Sequence, residues 1–467
     1  MLGSLVTDAG PIGAALRGDP EVLISGVVFD SRRVQPGSLF CCLRGSSSDG
    51  HEFAVQAIAD GASALLVDHA LDLAVPQVVV RDTRAAMGPL SAAFFGYPSR
   101  SMVLVGVTGT NGKTTTTSLI AAVLESAGMP TGVIGTLTGK HTTPEAPDLQ
   151  AQLAGFLAAG KLAVVMEVSS HALALHRVDG TRFALAVFTN LGRDHLDLHG
   201  TVERYFAAKA LLFEPGLSVA GVANADDMHG RLLVDAAPVP MTAFSSDELA
   251  DLAVTPTEHS YTWRGQRIHV GIGGAFNAMN SLAAATAAAT LGLAPEVIAA
   301  GLGGAAPVPG RFEPVRAGQP FDVIVDYAHT PDGLREALRA ARAASDGGSV
   351  IAVFGCGGDR DREKRPEMGA VAAELADHVV VTSDNPRSED PAEIINAIIA
   401  GVPAGYRDRV VSEPDRRRAF AAAFQMAKPG DVVVIAGKGH ETTQTIGSTV
   451  VAFDDRAVAR TLLEAQR

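Results

Sequence analysis

The hydrophobic pattern changes character twice along the chain. Over residues 1–98, short apolar runs at 22–29, 38–43, 64–67 and 77–81 alternate with turns, which predicts a small α/β unit. Residues 97–100, Tyr-Pro-Ser-Arg, read as a linker. Continuous apolar runs follow at 102–107, 162–168 and 185–189, each suited to a strand buried on both faces. Helical patterns occupy 113–127, 202–213 and the Ala-rich stretch 280–291, and a break follows at 306–310. From residue 313 the runs at 323–327, 350–354, 378–382 and 432–436 alternate with helix-length segments. That alternation predicts a parallel, doubly wound sheet, whose ligands sit beyond the strand C-termini. The expected architecture is α/β with three domains, at 1–98, 99–312 and 313–467.

Composition narrows the function more than the fold. The chain has 467 residues, 47% hydrophobic and 19% charged, enough for several cores. A formal charge of −13 with no Lys/Arg block excludes nucleic acid or an anionic membrane as partner. Small anionic substrates stay possible, because a few placed cations outweigh distant net charge. No apolar run reaches the roughly 18 residues of a membrane span, and no basic segment precedes an apolar core at the N-terminus. A cytoplasmic chain without membrane insertion is expected. Cys41, Cys42 and Cys356 lack metal-ligand spacing and read as small buried hydrophobes.

The strongest local signal is Gly109-Thr110-Asn111-Gly112-Lys113-Thr114-Thr115, placed between a strand and a helix. Glycines let backbone N–H groups close on phosphate oxygens, and the helix N-terminus adds a favourable dipole. Lys113 can reach the β- and γ-phosphates of ATP, and the Thr114 hydroxyl suits Mg²⁺. The strict phosphate-loop pattern needs a glycine at 107, where this chain has Val107.

This loop resembles that of the Mur ligases and of their relative folylpolyglutamate synthetase. Further blocks agree in order: Glu167-Val168-Ser169-Ser170-His171, Thr189-Asn190-Leu191, Asp194-His195-Leu196-Asp197, Phe276-Asn277 with Asn280, Gly310-Arg311-Phe312-Glu313 and Asp326 to Pro331. At the ends, Asp30-Ser31-Arg32, Asp384-Asn385-Pro386-Arg387 and Gly437-Lys438-Gly439-His440-Glu441 resemble the branch that adds the third residue of the wall peptide. The resemblance implies a nucleotide-sugar-binding N-terminal domain, a central P-loop ATPase-like domain and a Rossmann-like C-terminal domain. It also implies a monomer using ATP and Mg²⁺.

The implied reaction phosphorylates the D-glutamate side-chain carboxylate of UDP-N-acetylmuramoyl-L-alanyl-D-glutamate and captures the acyl phosphate with an amine. Catalytic roles fall on Lys113, Glu167, His195 and Lys209. Thr114, Glu167 and His195 would bind Mg²⁺, joined by Lys209 as a carbamate. Asn280 would lie near the adenine, with Arg311 and Asp326 near the nucleotide. Phe29 and Ser31 would meet the UDP-sugar, and Thr142, Thr143, Ser169 and Arg177 the muramoyl-dipeptide.

For the incoming amino acid the resemblance implies Arg360, Asp384, Asn385, Pro386, Arg387, Gly437 and Glu441. Arg387 can bind the far carboxylate of meso-diaminopimelate with two parallel hydrogen bonds and would repel lysine. Glu441 and Asp384 could hold the ammonium. His141, Leu175 and Ser46-Ser47-Ser48 depart from the family pattern at positions near the UDP-substrate. Ligation of L-lysine or another diamino acid, and a non-catalytic nucleotide-sugar-binding protein, remain as alternatives. A signalling P-loop NTPase has no use for Asp30-Ser31-Arg32 or Arg387.

Overall fold

The computed structural model describes residues 1–45, 48–345 and 347–465. Its first sheet contains β1 (Ala15–Arg17), β2 (Gly26–Val28), β3 (Ser38–Cys41), β4 (Ala64–Val67) and β5 (Gln77–Val79), in the order β1-β5-β4-β3-β2. All pairs are parallel except β1 with β5. The run at 22–29 yields only the short β2. Ser25 is used elsewhere: its N–H donates to Gly37 O and its hydroxyl to Pro36 O, in the turn before β3. Cys41 and Cys42 are buried and free, as small apolar side chains are.

The second sheet is wholly parallel. It holds β6 (Val103–Thr108), β7 (Thr131–Ile134), β8 (Ala163–Glu167), β9 (Leu185–Phe188), β10 (Gly221–Asn224) and β11 (Met241–Phe244), ordered β11-β10-β9-β6-β8-β7. From β6 the chain moves first toward β7 and β8, and only later toward β9. The connection order thus reverses between the adjacent strands β6 and β9, and ligands of such sheets bind beyond the strand C-termini at that point. The Ala-rich helix Ala275–Thr290 begins earlier than its periodicity suggests and packs on the helix Lys113–Ser126. Ala283, Ala284, Ala287 and Ala288 are fully buried there, and their small side chains permit the close approach.

A three-stranded antiparallel sheet, β12 (Ala250–Val254), β13 (His259–Trp263) and β14 (Gln266–Val270), was not foreseen. Its inward positions, His259, Tyr261, Trp263, Ile268 and Val270, do alternate, but polar and aromatic residues blur the apolar signal. The last large sheet is ordered β15-β16-β20-β17-β18-β19: β15 (Glu313–Pro314), β16 (Asp322–Asp326), β17 (Val350–Phe354), β18 (His378–Val381), β19 (Val410–Ser412) and β20 (Val432–Ala436). All its pairs are parallel except β15 with β16. A hairpin, β21 (Thr443–Ile446) and β22 (Thr449–Ala452), follows and was also unforeseen.

Ion pairs join the three parts. Arg33 bonds Asp148 at 2.8 Å, and Glu145 takes both Arg84 and Arg177. Arg193 reaches Glu363 at 3.5 Å, and its N–H donates to Asp332. Among the described residues no helix is long and apolar enough to cross a membrane.

Candidate active site

The loop after β6 closes around glycines that no other residue replaces without a clash. Gly112 has φ of 84°, and a Cβ there would lie 2.2 Å from Asn280 Oδ1. Gly109 has φ of 147°, with Thr189 Oγ1 at 1.9 Å from its added Cβ. The neighbouring loop after β9 braces this turn: Thr110 N–H donates to Asn190 O, and Asn111 N–H to Asn190 Oδ1, each at 2.9 Å. Lys113 folds its ammonium onto the Gly109 and Thr110 carbonyls, at 3.0 and 2.8 Å. Desolvation, with Arg311 nearby, lowers its pKa below the usual lysine value against the opposing pull of Glu167 and Asp194.

A cavity of about 680 Å³ spreads from this loop across to the C-terminal domain built on β15 to β20. Gly109 alone of the proposed nucleotide residues is not in its wall; Thr110 to Thr115, Asn280, Arg311 and Asp326 all line it. Glu167, Thr142, Ser169 and His195 line it too. Glu167 ends β8 almost fully buried, its carboxylate accepting Thr136 N–H at 2.8 Å and the Thr136 hydroxyl at 3.2 Å. No cationic side chain pairs with it within 4 Å among the described residues, so a buried anion is left for a metal to neutralise. Thr136 itself was missed from sequence, since nothing local marks a threonine 31 positions away as the brace of a carboxylate.

His195 has φ of 53°, in the left-handed region that a non-glycine residue adopts only when its surroundings hold it. Desolvation on the cavity wall, with His171 and the two lysines, brings its pKa down to about 4 despite Asp194. The ring is therefore neutral near pH 7 and has a lone pair for a metal. Lys209 is fully buried on the helix Val202–Ala210. Its amine donates to Gly109 O at 2.8 Å and lies 4.4 Å above the Tyr205 ring. Burial, and then the charge of Lys113, hold its pKa well below the lysine range. The amine is poised to be neutral, the form that adds CO₂.

Two residues from beyond the break at 306–310 complete this wall. Arg311 donates to Thr114 Oγ1 at 3.0 Å and stacks 4.4 Å from the Tyr327 ring centre. Asp326 has its carboxylate already committed, to Phe312 N–H at 2.7 Å and Ala328 N–H at 2.8 Å. It shapes the junction that carries Arg311. His329 and Asp332 also line the cavity and were given no role from sequence, although the motif at 326–331 contains His329.

The muramoyl-dipeptide residues are only partly gathered. Thr143 is buried and tied to β8, its hydroxyl donating to Glu167 O at 2.9 Å and accepting Ser169 N–H at 3.0 Å. Thr142 bonds Thr136 at 3.0 Å. Arg177 is already engaged by Glu145 at 3.0 Å and by Thr143 O at 3.2 Å. Phe29 packs against the core of the first sheet, and Ser31 starts a short 3₁₀ turn capped by Asp30; neither lines the cavity. His141 is exposed and Leu175 half-buried. Ser46 and Ser47 lie outside the described residues.

The proposed amino-acid residues form a separate cluster at the C-terminal ends of β17, β18 and β20. Arg387 has φ of 52°, and its guanidinium donates to Gly358 O at 2.6 Å. Asn385 donates to Glu441 Oε2 at 2.7 Å and accepts Thr445 N–H at 2.9 Å. Asp384 Oδ1 is taken by Asn385 N–H at 2.6 Å and Asp384 is buried, whereas the Glu441 side chain is partly exposed. Gly437 has φ of 114°, and a Cβ there would meet Asp384 Oδ2 at 2.5 Å. Gly358 lets the Pro386 carbonyl approach closely, since a Cβ at 358 would lie 1.9 Å from Pro386 O, and Arg360 is exposed. Elsewhere, among the described residues, His51, Asp68 and His69 form the one cluster with metal-ligand side chains, but Asp49 and Arg44 already pair with it.

A phosphate loop facing a second Rossmann-like domain across one cavity is the arrangement of an ATP-dependent ligase, and comparison with known proteins gives the class. Models of the Mur ligase middle domain, the Mur ligase glutamate ligase domain and the Mur ligase family catalytic domain match residues 107–288, 310–439 and 23–101. The chain belongs to the Mur ligase family. It is 48% identical to the UDP-N-acetylmuramoyl-L-alanyl-D-glutamate--2,6-diaminopimelate ligase of Gloeobacter violaceus, over 97% of each chain. The protein of the same name from Streptomyces avermitilis is 44% identical, covering 98% of this chain and 95% of its own. A solved structure bearing that name is similar with a TM-score of 0.69 and 33% identity, covering 99% of both chains.

Proposed function

We infer that the protein is an ATP-dependent ligase that joins meso-diaminopimelate to the D-glutamate of UDP-N-acetylmuramoyl-L-alanyl-D-glutamate in peptidoglycan precursor synthesis. The observation that carries the ATP-dependent step is the cavity where Lys113, Glu167, His195 and Arg311 converge from two domains. The substrates' names come from relatives that match nearly the whole chain.

A carboxylate resists amine attack until its oxygen becomes a leaving group. In this reading the glutamate oxygen attacks the γ-phosphorus, the β–γ bond breaks, and ADP leaves. The neutral amine then attacks the acyl carbon, the C–O bond to phosphate breaks, and the nitrogen gives up one proton to the departing inorganic phosphate as the amide forms. Lys113 neutralises the transferring phosphoryl group as it swings from the loop carbonyls. Thr114, Glu167, His195 and a carbamylated Lys209 would hold Mg²⁺, which supplies charge neutralisation between the phosphates. Buried Glu167 without a cationic partner and the lowered pKa of Lys209 both suit that set. Arg387 and Arg360 receive the far carboxylate of the amino acid, and Glu441 its ammonium. The protein acts as a cytoplasmic monomer in this reading.

The test is an amino-acid panel offered with the UDP-muramoyl-dipeptide, ATP and Mg²⁺, read by product mass. Tripeptide from meso-diaminopimelate and none from lysine is expected. Product from lysine alone would overturn the assignment of the amino acid, and absence of any product would overturn the reaction. Withholding bicarbonate should lower activity and remove a labile CO₂ adduct from native mass; an unaffected enzyme would rule out the carbamate.

A further inference from the structure

Lys438, in the loop after β20, has a side chain with no solvent exposure. A lysine so placed needs acceptors for its ammonium. It finds Glu441 Oε2 at 3.1 Å and Thr443 O at 2.5 Å. The same Oε2 accepts Asn385 Nδ2–H at 2.7 Å. Two donors on one oxygen fix the carboxylate plane. Among the described residues Oε1 receives no hydrogen bond, and the Glu441 side chain remains 33% exposed. One oxygen is anchored and the other is free for an incoming cation.

The anchor extends further through the hairpin. Thr445 N–H donates to Asn385 Oδ1 at 2.9 Å, and Arg387 N–H donates to Thr445 O at 3.1 Å. Gln444 donates to Asp384 O at 2.6 Å. Lys438 thus ties Glu441 to the start of the strand that holds Arg387. The separation between an ammonium acceptor and a carboxylate donor is set by one connected network.

We propose that Lys438 is a positioning residue for amino-acid recognition, aiming the Glu441 carboxylate at the ammonium of the incoming diamino acid at a fixed distance from Arg387. The proposal rests on the ligase reading above for the identity of that ligand. It does not place Lys438 in contact with substrate.

The experiment compares Lys438→Met, Lys438→Arg and Glu441→Gln by steady-state kinetics with varied meso-diaminopimelate and varied ATP. Lys438→Met should raise the KM for the amino acid by about 10-fold with the KM for ATP unchanged, and Lys438→Arg should recover part of the loss. In a Glu441→Gln background, Lys438→Met should add little, because the lysine acts through that carboxylate. Equal losses for both substrates, or full additivity in the double variant, would assign Lys438 to the scaffold alone and overturn the proposal. If Lys438→Met does not fold, Lys438→Gln keeps a donor and should give an intermediate KM. Wild-type protein that ligates no diamino acid overturns the ligase reading; wild-type ligation with an insensitive variant overturns only the positioning role.

Discussion

In the nucleotide cavity, the cations rest on neutral oxygens. Lys113 donates to the Gly109 and Thr110 carbonyls, and Arg311 donates to the Thr114 hydroxyl. In the interior of the C-terminal domain the same residue types are matched with carboxylates. Arg416 meets Asp455 through two hydrogen bonds, at 2.8 and 2.6 Å, with neither side chain exposed. Arg365 meets Glu389 at 2.9 Å, and Lys438 meets Glu441. A cation that lacks a carboxylate retains its attraction for an arriving anion, whereas a paired one is committed to the carboxylate it holds. Arg360 and Arg387 follow the cavity's pattern, since neither has an acidic partner within 4 Å among the described residues. The difference separates cations open to an incoming anion from those already paired, where residue type cannot.

The comparison breaks most visibly if a scaffold cation is removed. Arg416 also donates to Ser383 O and Ala436 O, at the roots of the loops that carry Asp384 to Arg387 and Gly437 to Glu441. Arg416→Leu leaves Asp455 buried and unpaired, and should cost about 3–5 kcal/mol in chemical denaturation, with every substrate affected alike. Lys113→Ala should leave the melting temperature near that of the wild type while slowing substrate-dependent ADP release about 10³-fold. Arg387→Ala should lower kcat/KM for diaminopimelate about 10²-fold and spare the KM for ATP; parallel losses would count against its assignment.

A third arrangement is a buried ionisable group kept neutral. His259 Nδ1 and Nε2 bond Ile272 O and Ser281 Oγ at 2.6 and 2.8 Å, and burial pushes its pKa down to about 4. The unfolded chain takes up a proton below about pH 6.5 that the folded chain refuses. Its stabilising contribution is therefore complete above pH 6.5 and declines as pH falls toward 4, by about 3 kcal/mol. His259→Gln should flatten that part of the stability–pH curve; an unchanged slope would show that another group titrates there.

The sequence by itself determined what depends on neighbours in the chain. The strand–loop–helix around 109–115 was legible because glycine torsions, an apolar run and a helix start are local properties. Strands at 64–67, 350–354 and 432–436 were legible in full, because burial on both faces makes them continuous apolar runs. The sheet β12-β13-β14 and the hairpin β21-β22 were not, because their faces are partly polar and their pairing is stabilised by what they pack against. Only the tertiary structure decided which charged groups pair. Thr136 under Glu167, Arg311 against Thr114 from 197 positions away and Asp455 beneath Arg416 are contacts between distant segments. Whether a lysine is an anion receptor, a neutral amine or a brace depends on burial and on the oxygen it reaches, and packing alone sets both.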